Sequence, residues 1–105
     1  MKLYLHWNGL EPSPTLREHL ERRLAFALGR FGAEVTAVRV WLADTNGPRG
    51  GVDKQVRLLV LGPQLRNLVV TDSDSSLLAA IDRGADRIGN AIRRALERAR
   101  SLRRR

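Results

Sequence analysis

LRNLVVTDSDSSLLAAIDRGADRIGNAIRRALERARSL, residues 65–102, contains a predicted strand followed by a predicted long helix, and this pair of elements decides the fold. Residues 65–71, directly after the Gly62-Pro63 turn, are predicted to form a strand. DSDSS, residues 72–76, supplies serines and aspartates that favour a helix start. A long amphipathic helix is predicted to follow. Its apolar stripe is Leu77, Ile81, Ala85, Ile88, Ile92, Ala95, Ala99 and Leu102.

Two further strands are predicted immediately upstream. Residues 35–43 alternate, with Val38, Val40 and Leu42 on one side and Arg39 and Trp41 on the other. DTNGPRGG, residues 44–51, is rich in turn-forming residues. A strand is predicted over residues 54–61, and Gly62-Pro63 then turns the chain into residues 65–71.

The amino-terminal third predicts one strand and one helix. KLYLHW, residues 2–7, alternates as a strand, and Asn8-Gly9 ends it. Ser13 is suited to cap a helix that has Pro14 in its first turn. Gly32 is predicted to close this helix. Its apolar positions are Leu16, Leu20, Leu24, Ala27, Leu28 and Phe31.

The resulting order, β-α-β-β-β-α, predicts an α+β fold with a four-stranded mixed sheet and two helices on one face. Short connections make the last three strands antiparallel. A right-handed crossover through the first helix places the first strand parallel to a neighbour. The opposite sheet face is expected to stay open.

Charge is concentrated at the carboxyl end of this chain of 105 residues. The net charge is +8, and residues 87–105 hold eight arginines and only one acid, Glu97. Such asymmetry is typical of proteins that bind polyanions. Cysteine is absent, and we find neither a membrane-spanning run nor a signal peptide, so a cytoplasmic location is expected.

Arginines flank the apolar stripe of the second helix. Spacings of four, seven and four residues place Arg83, Arg87, Arg94 and Arg98 in one row, and Arg93 falls on the opposite flank. Arg23 and Arg30 flank the core positions of the first helix. Such a row suits a phosphate backbone. It equally suits a solvated helix face whose cations complement the helix dipole.

Two segments resemble the ribosome hibernation-promoting factor and ribosome-associated inhibitor family. TLREHLERRLAFALGRFG, residues 15–32, is similar to the family's first helix. SLLAAIDRGADRIGNAIRR, residues 76–94, is similar to its second helix, most clearly at Ala-Ala-Ile-Asp. The resemblance covers residues 2–98, without the dimerisation domain of long members, and implies a short form with a fold like that of double-stranded-RNA-binding domains.

The resemblance also implies a function. Family members bind ribosomal RNA of the small subunit, occlude the messenger and transfer RNA channel, and inhibit translation in hibernating ribosomes. We therefore expect one such domain over residues 1–98 and a basic tail over residues 99–105. Contacts implied by the resemblance are Arg23, Arg30, Arg87, Arg93 and Arg94, and helix geometry adds Arg83 and Arg98.

The open sheet face offers an alternative site. Tyr4, Arg39, Trp41, Arg57 and Leu59 are predicted to point there, together with His6. Aromatic and arginine side chains on a sheet stack nucleobases or form protein interfaces, and scattered apolar residues are also normal on a solvated face. A dimerising protein-interaction module and a general nucleic-acid binder are therefore the alternative functions.

Enzymatic, metal and cofactor sites are not expected. His6 and His19 lie on different predicted elements without metal-ligand partners. Asp82 and Asp86 share a helix face but have no nucleophile beside them, and local pairing with arginine explains them. GPRG, residues 47–50, spells the GxxG clamp of KH domains, but it joins two predicted strands instead of two helices.

Overall fold

The computed structural model describes residues 1–45 and 52–103 and confirms the predicted order of elements. The GPRG segment lies outside the described residues. The strands and helices are β1 (Lys2–Asn8), α1 (Pro14–Leu28), β2 (Ala37–Asp44), β3 (Lys54–Gly62), β4 (Leu65–Asp74) and α2 (Leu77–Arg103).

The four strands form one mixed sheet in the order β1-β2-β3-β4. β1 pairs parallel with β2, and the other two pairings are antiparallel. β4 is therefore an edge strand, hydrogen-bonded to β3 alone. Because α2 follows β4 directly and runs back along it, the helix brings its side chains against this edge.

Both helices cover the same sheet face, as predicted. Val38, Val40 and Leu42 of β2 are fully buried, and Leu24 of α1 and Ile88 of α2 are buried against them. The α+β fold class is thus confirmed.

Two glycines allow α2 to pack closely. A Cβ atom at Gly84 would lie 2.8 Å from Leu58 Cδ1 of the sheet, and one at Gly89 would lie 3.2 Å from the Ala27 carbonyl oxygen of α1. Larger residues at these two positions would push the helix away from its neighbours.

The start of α1 is as predicted, but its end is not. Ser13 Oγ accepts from the Leu16 N–H at 3.2 Å, and Pro14 occupies the first turn. The helix stops at Leu28, and a 3-10 turn, Gly29–Phe31, follows. Gly32 closes that turn with a φ of −53° instead of ending the helix in a left-handed conformation.

β4 is longer than predicted, and α2 begins later. The strand that starts at Leu65 continues through Asp74, so residues 72–74 belong to it and do not open the helix. Ser76 Oγ instead accepts from the Ala79 N–H at 3.3 Å, and Asp74 Oδ1 accepts from the Ser76 N–H at 2.8 Å.

The far end of α2 departs from the predicted stripe. Leu96 is buried, whereas Leu102 is 68% exposed, because it lies beside the exposed turn at Pro63 and Gln64 instead of over the sheet. The predicted boundary after residue 98 falls inside α2, which continues to Arg103. Residues 104 and 105 lie outside the described residues.

Candidate nucleic-acid interface

The four arginines of the predicted row lie on the side of α2 that faces β4. Arg83 and Arg87 contact residues at the end of β4. Arg94 lines a groove with Val69, and Arg98 lines a second groove farther along the strand. The spacing therefore predicts their common side correctly, but the residues beneath the two halves of the row differ.

Arg83 and Arg87 are bound to carboxylates of β4. Arg83 Nη2 lies 3.0 Å from Asp72 Oδ1 and 2.9 Å from Asp74 Oδ2, and Arg87 Nη1 lies 3.2 Å from Asp72 Oδ2. We call these four residues the clamp. The two positive and two negative charges of the clamp cancel.

The clamp keeps both carboxylates ionised. Burial alone would raise the pKa of Asp72, but the hydrogen bonds from Arg83 and Arg87 outweigh burial and lower it. The Ser76 N–H, and then Arg83, lower the pKa of Asp74. Asp72 and then Asp74 raise the pKa of the Arg83 guanidinium in return.

The clamp also protects the free edge of the sheet. Arg87 donates to the Thr71 carbonyl at 2.8 Å, and Arg83 donates to the Ser73 carbonyl at 2.9 Å. Unpaired carbonyls on an edge strand otherwise attract other strands. In the free protein, these two guanidinium groups are thus engaged by the protein itself.

The second half of the row has a different environment. Arg94 and Arg98 are exposed, and within residues 1–45 and 52–103 neither has a carboxylate at ion-pair distance. Arg66 of β4 lines the same groove as Arg98 and likewise has no carboxylate partner in the described ranges. We call Arg66, Arg94 and Arg98 the open row.

Sequence reasoning missed Arg66 and the acids of the clamp. The role of the two acids follows from the length of β4. Because the strand extends to Asp74, Asp72 and Asp74 lie on its helix-covered side together with Val70. Residues 71–74 are all polar, so the sequence held no apolar alternation that could have extended the strand to Asp74.

Arg23 joins the two helices instead of facing solvent. Its Nη2 lies 2.9 Å from Asp86 Oδ1 and its Nε 3.2 Å from Asp82 Oδ1, while His19 Nε2 lies 2.7 Å from the same Asp82 oxygen. Asp82 and Asp86 therefore pair with α1 across the helix interface, and not with arginines of their own helix.

Arg30 and Arg93 border this helix interface farther along. The Arg30 guanidinium lies 4.7 Å from the centre of the Phe31 ring. Arg30 also lines a groove with Asn90 of α2. Arg93 Nη1 lies 3.1 Å from Glu97 Oε1, one turn along the exposed face of α2. The predicted contacts are thus divided between two flanks of α2.

The open sheet face carries the predicted side chains in two cross-strand rows. Tyr4, Arg39 and Leu59 are paired in register, as are His6, Trp41 and Arg57. The His6 and Trp41 rings stack with centres 5.2 Å apart, and the Arg57 guanidinium lies 5.6 Å from the Trp41 ring centre. Arg39 lies 5.3 Å from the Tyr4 ring centre. The rings are therefore already stacked on neighbours.

The described residues were also considered for a metal site and for a membrane-spanning helix. Residues 1–45 and 52–103 contain no group of histidine and acidic side chains placed to hold a metal ion. Neither of the helices described is both long and apolar enough to cross a membrane.

Comparison with known proteins adds a family and a fold. The sequence profile of the family described as "Sigma 54 modulation protein / S30EA ribosomal protein" matches residues 4–100. No curated protein matches. The structure is similar to the N-terminal domain of Protein Y from Thermus thermophilus, with a TM-score of 0.74 and 25% identity over 90% of this chain and 98% of that one.

A ribosomal subunit interface protein from Coxiella burnetii has the same fold, with a TM-score of 0.74 and 16% identity over 90% of this chain and 96% of that one. The profile match spans nearly all of α1, α2 and the sheet. The resemblance noted in the two helical segments is thereby confirmed. This chain belongs to the sigma 54 modulation protein / S30EA ribosomal protein family.

Proposed function

We propose that this protein binds ribosomal RNA of the small ribosomal subunit and, once bound, blocks the channel used by messenger and transfer RNA. Family membership supports the ribosome as the partner. The single observation that carries RNA binding is the open row, Arg66, Arg94 and Arg98: three exposed cations that line two grooves between α2 and β4 and have no carboxylate partners in the described ranges.

Charge separates the predicted contacts into two groups. Arg94, Arg98 and Arg30 have no carboxylate partner among the described residues and are assigned to phosphates, and Arg93 keeps only an exposed partner in Glu97. Exposed pairs of that kind contribute little and exchange readily for a phosphate. Arg23, Arg83 and Arg87 are assigned a supporting role, because RNA would have to displace their own carboxylates.

Inhibition by occlusion requires a rigid body and no chemistry. Gly84 packs α2 closely on the sheet, Gly89 packs it closely on α1, and the clamp fixes α2 to the edge strand. The arginines of residues 99–105 add positive charge, which strengthens non-specific attraction to the RNA. The protein acts in the cytoplasm without catalytic activity or a cofactor in this proposal.

Self-association through the open sheet face is the less favoured alternative. The face presents Lys2, Arg39 and Arg57, and its described positions include no carboxylate. A symmetric dimer places the same patch on both subunits. Such a dimer would therefore bring like charges together.

Co-sedimentation with purified small subunits, with excess transfer RNA as competitor, tests the proposal. We expect stoichiometric pelleting of the wild-type protein that survives the competitor. Arg17→Gln/Arg22→Gln, which removes two exposed charges from α1, serves as the control and should still pellet. Loss of pelleting under competitor would indicate a general nucleic-acid binder, and absence of pelleting without competitor would refute the proposal.

A further inference from the structure

The groove between the last turns of α2 and the β3–β4 turn combines an apolar floor with a positively charged rim. Its volume is about 490 Å³, within the range of small-molecule sites. Leu68, Ala95 and Leu102 contribute an apolar floor, while Arg66 and Arg98 stand at its rim with Arg103. No carboxylate is found among the described residues that line it.

The floor is more exposed than packing of the domain requires. Leu102 is 68% exposed, although Leu96, less than two turns earlier on α2, is buried. Leu68 and Ala95 are only partly buried where they meet the core. Apolar side chains left partly in water are unfavourable in the free protein. A ligand with a flat apolar part and an anionic group would cover the apolar floor and pair with the arginines at the rim.

We infer that this groove binds one unpaired nucleotide of the RNA, with its base on the floor formed by Leu68 and Leu102 and its phosphate between Arg66 and Arg98. The inference rests on the proposed function and names a subsite within it. Unpaired bases are commonly recognised on apolar or guanidinium surfaces, and stacking of this kind tolerates any base.

An acidic protein segment fits the same surface less well. A peptide lying along an edge strand gains affinity from the strand's free backbone groups. The Thr71 and Ser73 carbonyls of β4 are already taken by Arg87 and Arg83. Nearer the groove, Asn67 has a φ of +37°, which interrupts the regular extended backbone that strand addition needs.

Two short fluorescent RNA oligonucleotides of equal length test the inference, one with normal bases and one with abasic residues. Both carry the same phosphates, so a purely electrostatic grip would bind them equally. We expect the full chain to bind the base-bearing RNA about tenfold more tightly, given the usual contribution of stacking.

Single substitutions test whether the preference for base-bearing RNA arises in this groove. Leu102→Ser removes the most exposed apolar side chain of the floor and should lower the affinity ratio severalfold, toward one, while Leu78→Ser, at another exposed leucine of α2, should leave the ratio unchanged. Arg66→Gln should weaken binding of both oligonucleotides. Circular dichroism and thermal unfolding would verify that each variant is folded.

Three results would overturn the inference: equal affinities for the two RNAs in the wild type, an unchanged ratio in Leu102→Ser, or Leu102-dependent competition by an acidic peptide as strong as that by RNA. If pelleting with small subunits survives any of these results, only the nucleotide subsite is lost. If pelleting is absent as well, the proposed function is refuted with it.

Discussion

The clamp and the second half of the arginine row lie on the same side of one helix, yet their environments are opposite. Arg83 and Arg87 lie over Asp72 and Asp74, whereas the edge strand beneath Arg98 offers Leu68 and Arg66. The first half fixes the helix to the sheet, and the second half remains available to a ligand. A row of identical side chains at helical spacing therefore has no single role, because the neighbouring strand decides it.

The largest expected effect is on RNA binding by the second half. Arg94→Glu/Arg98→Glu replaces two cations with anions that repel phosphates, and we expect affinity for small subunits to fall by about a hundredfold or more. Neither side chain has a carboxylate partner in the described ranges, so the thermal midpoint should hardly change. Unaltered affinity in a pelleting titration would contradict the assignment of the open row.

The second effect is on stability and comes from the clamp. Asp72→Asn removes the charge that Arg83 and Arg87 share, while keeping the size of the side chain. We expect a loss of about 1–2 kcal/mol in the free energy of unfolding, measured in urea.

The same variant tests whether the clamp hides binding capacity. It removes one negative charge from the clamp and leaves Arg87 without its carboxylate partner, while Arg83 keeps Asp74, so RNA affinity should rise although stability falls. Asp86→Asn, which removes a carboxylate from the helix interface instead, is the control. A fall in RNA affinity for Asp72→Asn would show that the clamp is required intact for binding.

A smaller effect is expected from giving the open row a partner of its own. Asn90 is exposed and lies four residues before Arg94, so Asn90→Glu allows an ion pair one helical turn long. The pair would stabilise the helix by only about 0.2–0.5 kcal/mol. Its added negative charge should still lower RNA affinity severalfold at low salt, as measured by fluorescence anisotropy. Asn90→Gln should leave affinity unchanged.

The smallest effect is on the pH dependence of stability. The folded pKa values of Asp72 and Asp74 lie below the ordinary aspartate value of 3.8. Their stabilisation is therefore fully present above that value and is lost as the pH falls through the folded pKa values. Urea unfolding should show a constant gap between wild type and Asp72→Asn from neutral pH to about pH 5, and a shrinking gap in acid. A stability difference between the two proteins that appears only in acid would contradict the lowered pKa of Asp72.

The sequence predicts the fold well because its signals are local and periodic. Alternation in KLYLHW and in residues 35–43, the Ser13 cap, and the long stripe that begins at Leu77 each imply one element. Gly84 is also predictable as a site of close packing, since it falls on the buried stripe.

The site is less predictable because it depends on contacts between elements. Asp72 and Asp74 resemble helix-start residues locally, and only the register of β4 beneath α2 turns them into partners of Arg83. Arg66 is similarly unremarkable in sequence and joins the groove only through folding. Charge patterns therefore locate candidate surfaces, while the tertiary structure decides which charges are free.

The most direct test compares the salt dependence of small-subunit binding for Arg94→Gln/Arg98→Gln and Arg83→Gln/Arg87→Gln, which remove the same charge from the two halves. We predict that the first variant loses about 1.4–1.8 from the slope of log affinity against log salt concentration, as two lost phosphate contacts require. The second should keep nearly the wild-type slope and unfold at a lower temperature. A larger loss of slope in the second variant would contradict the division of the row into a clamp and an open half.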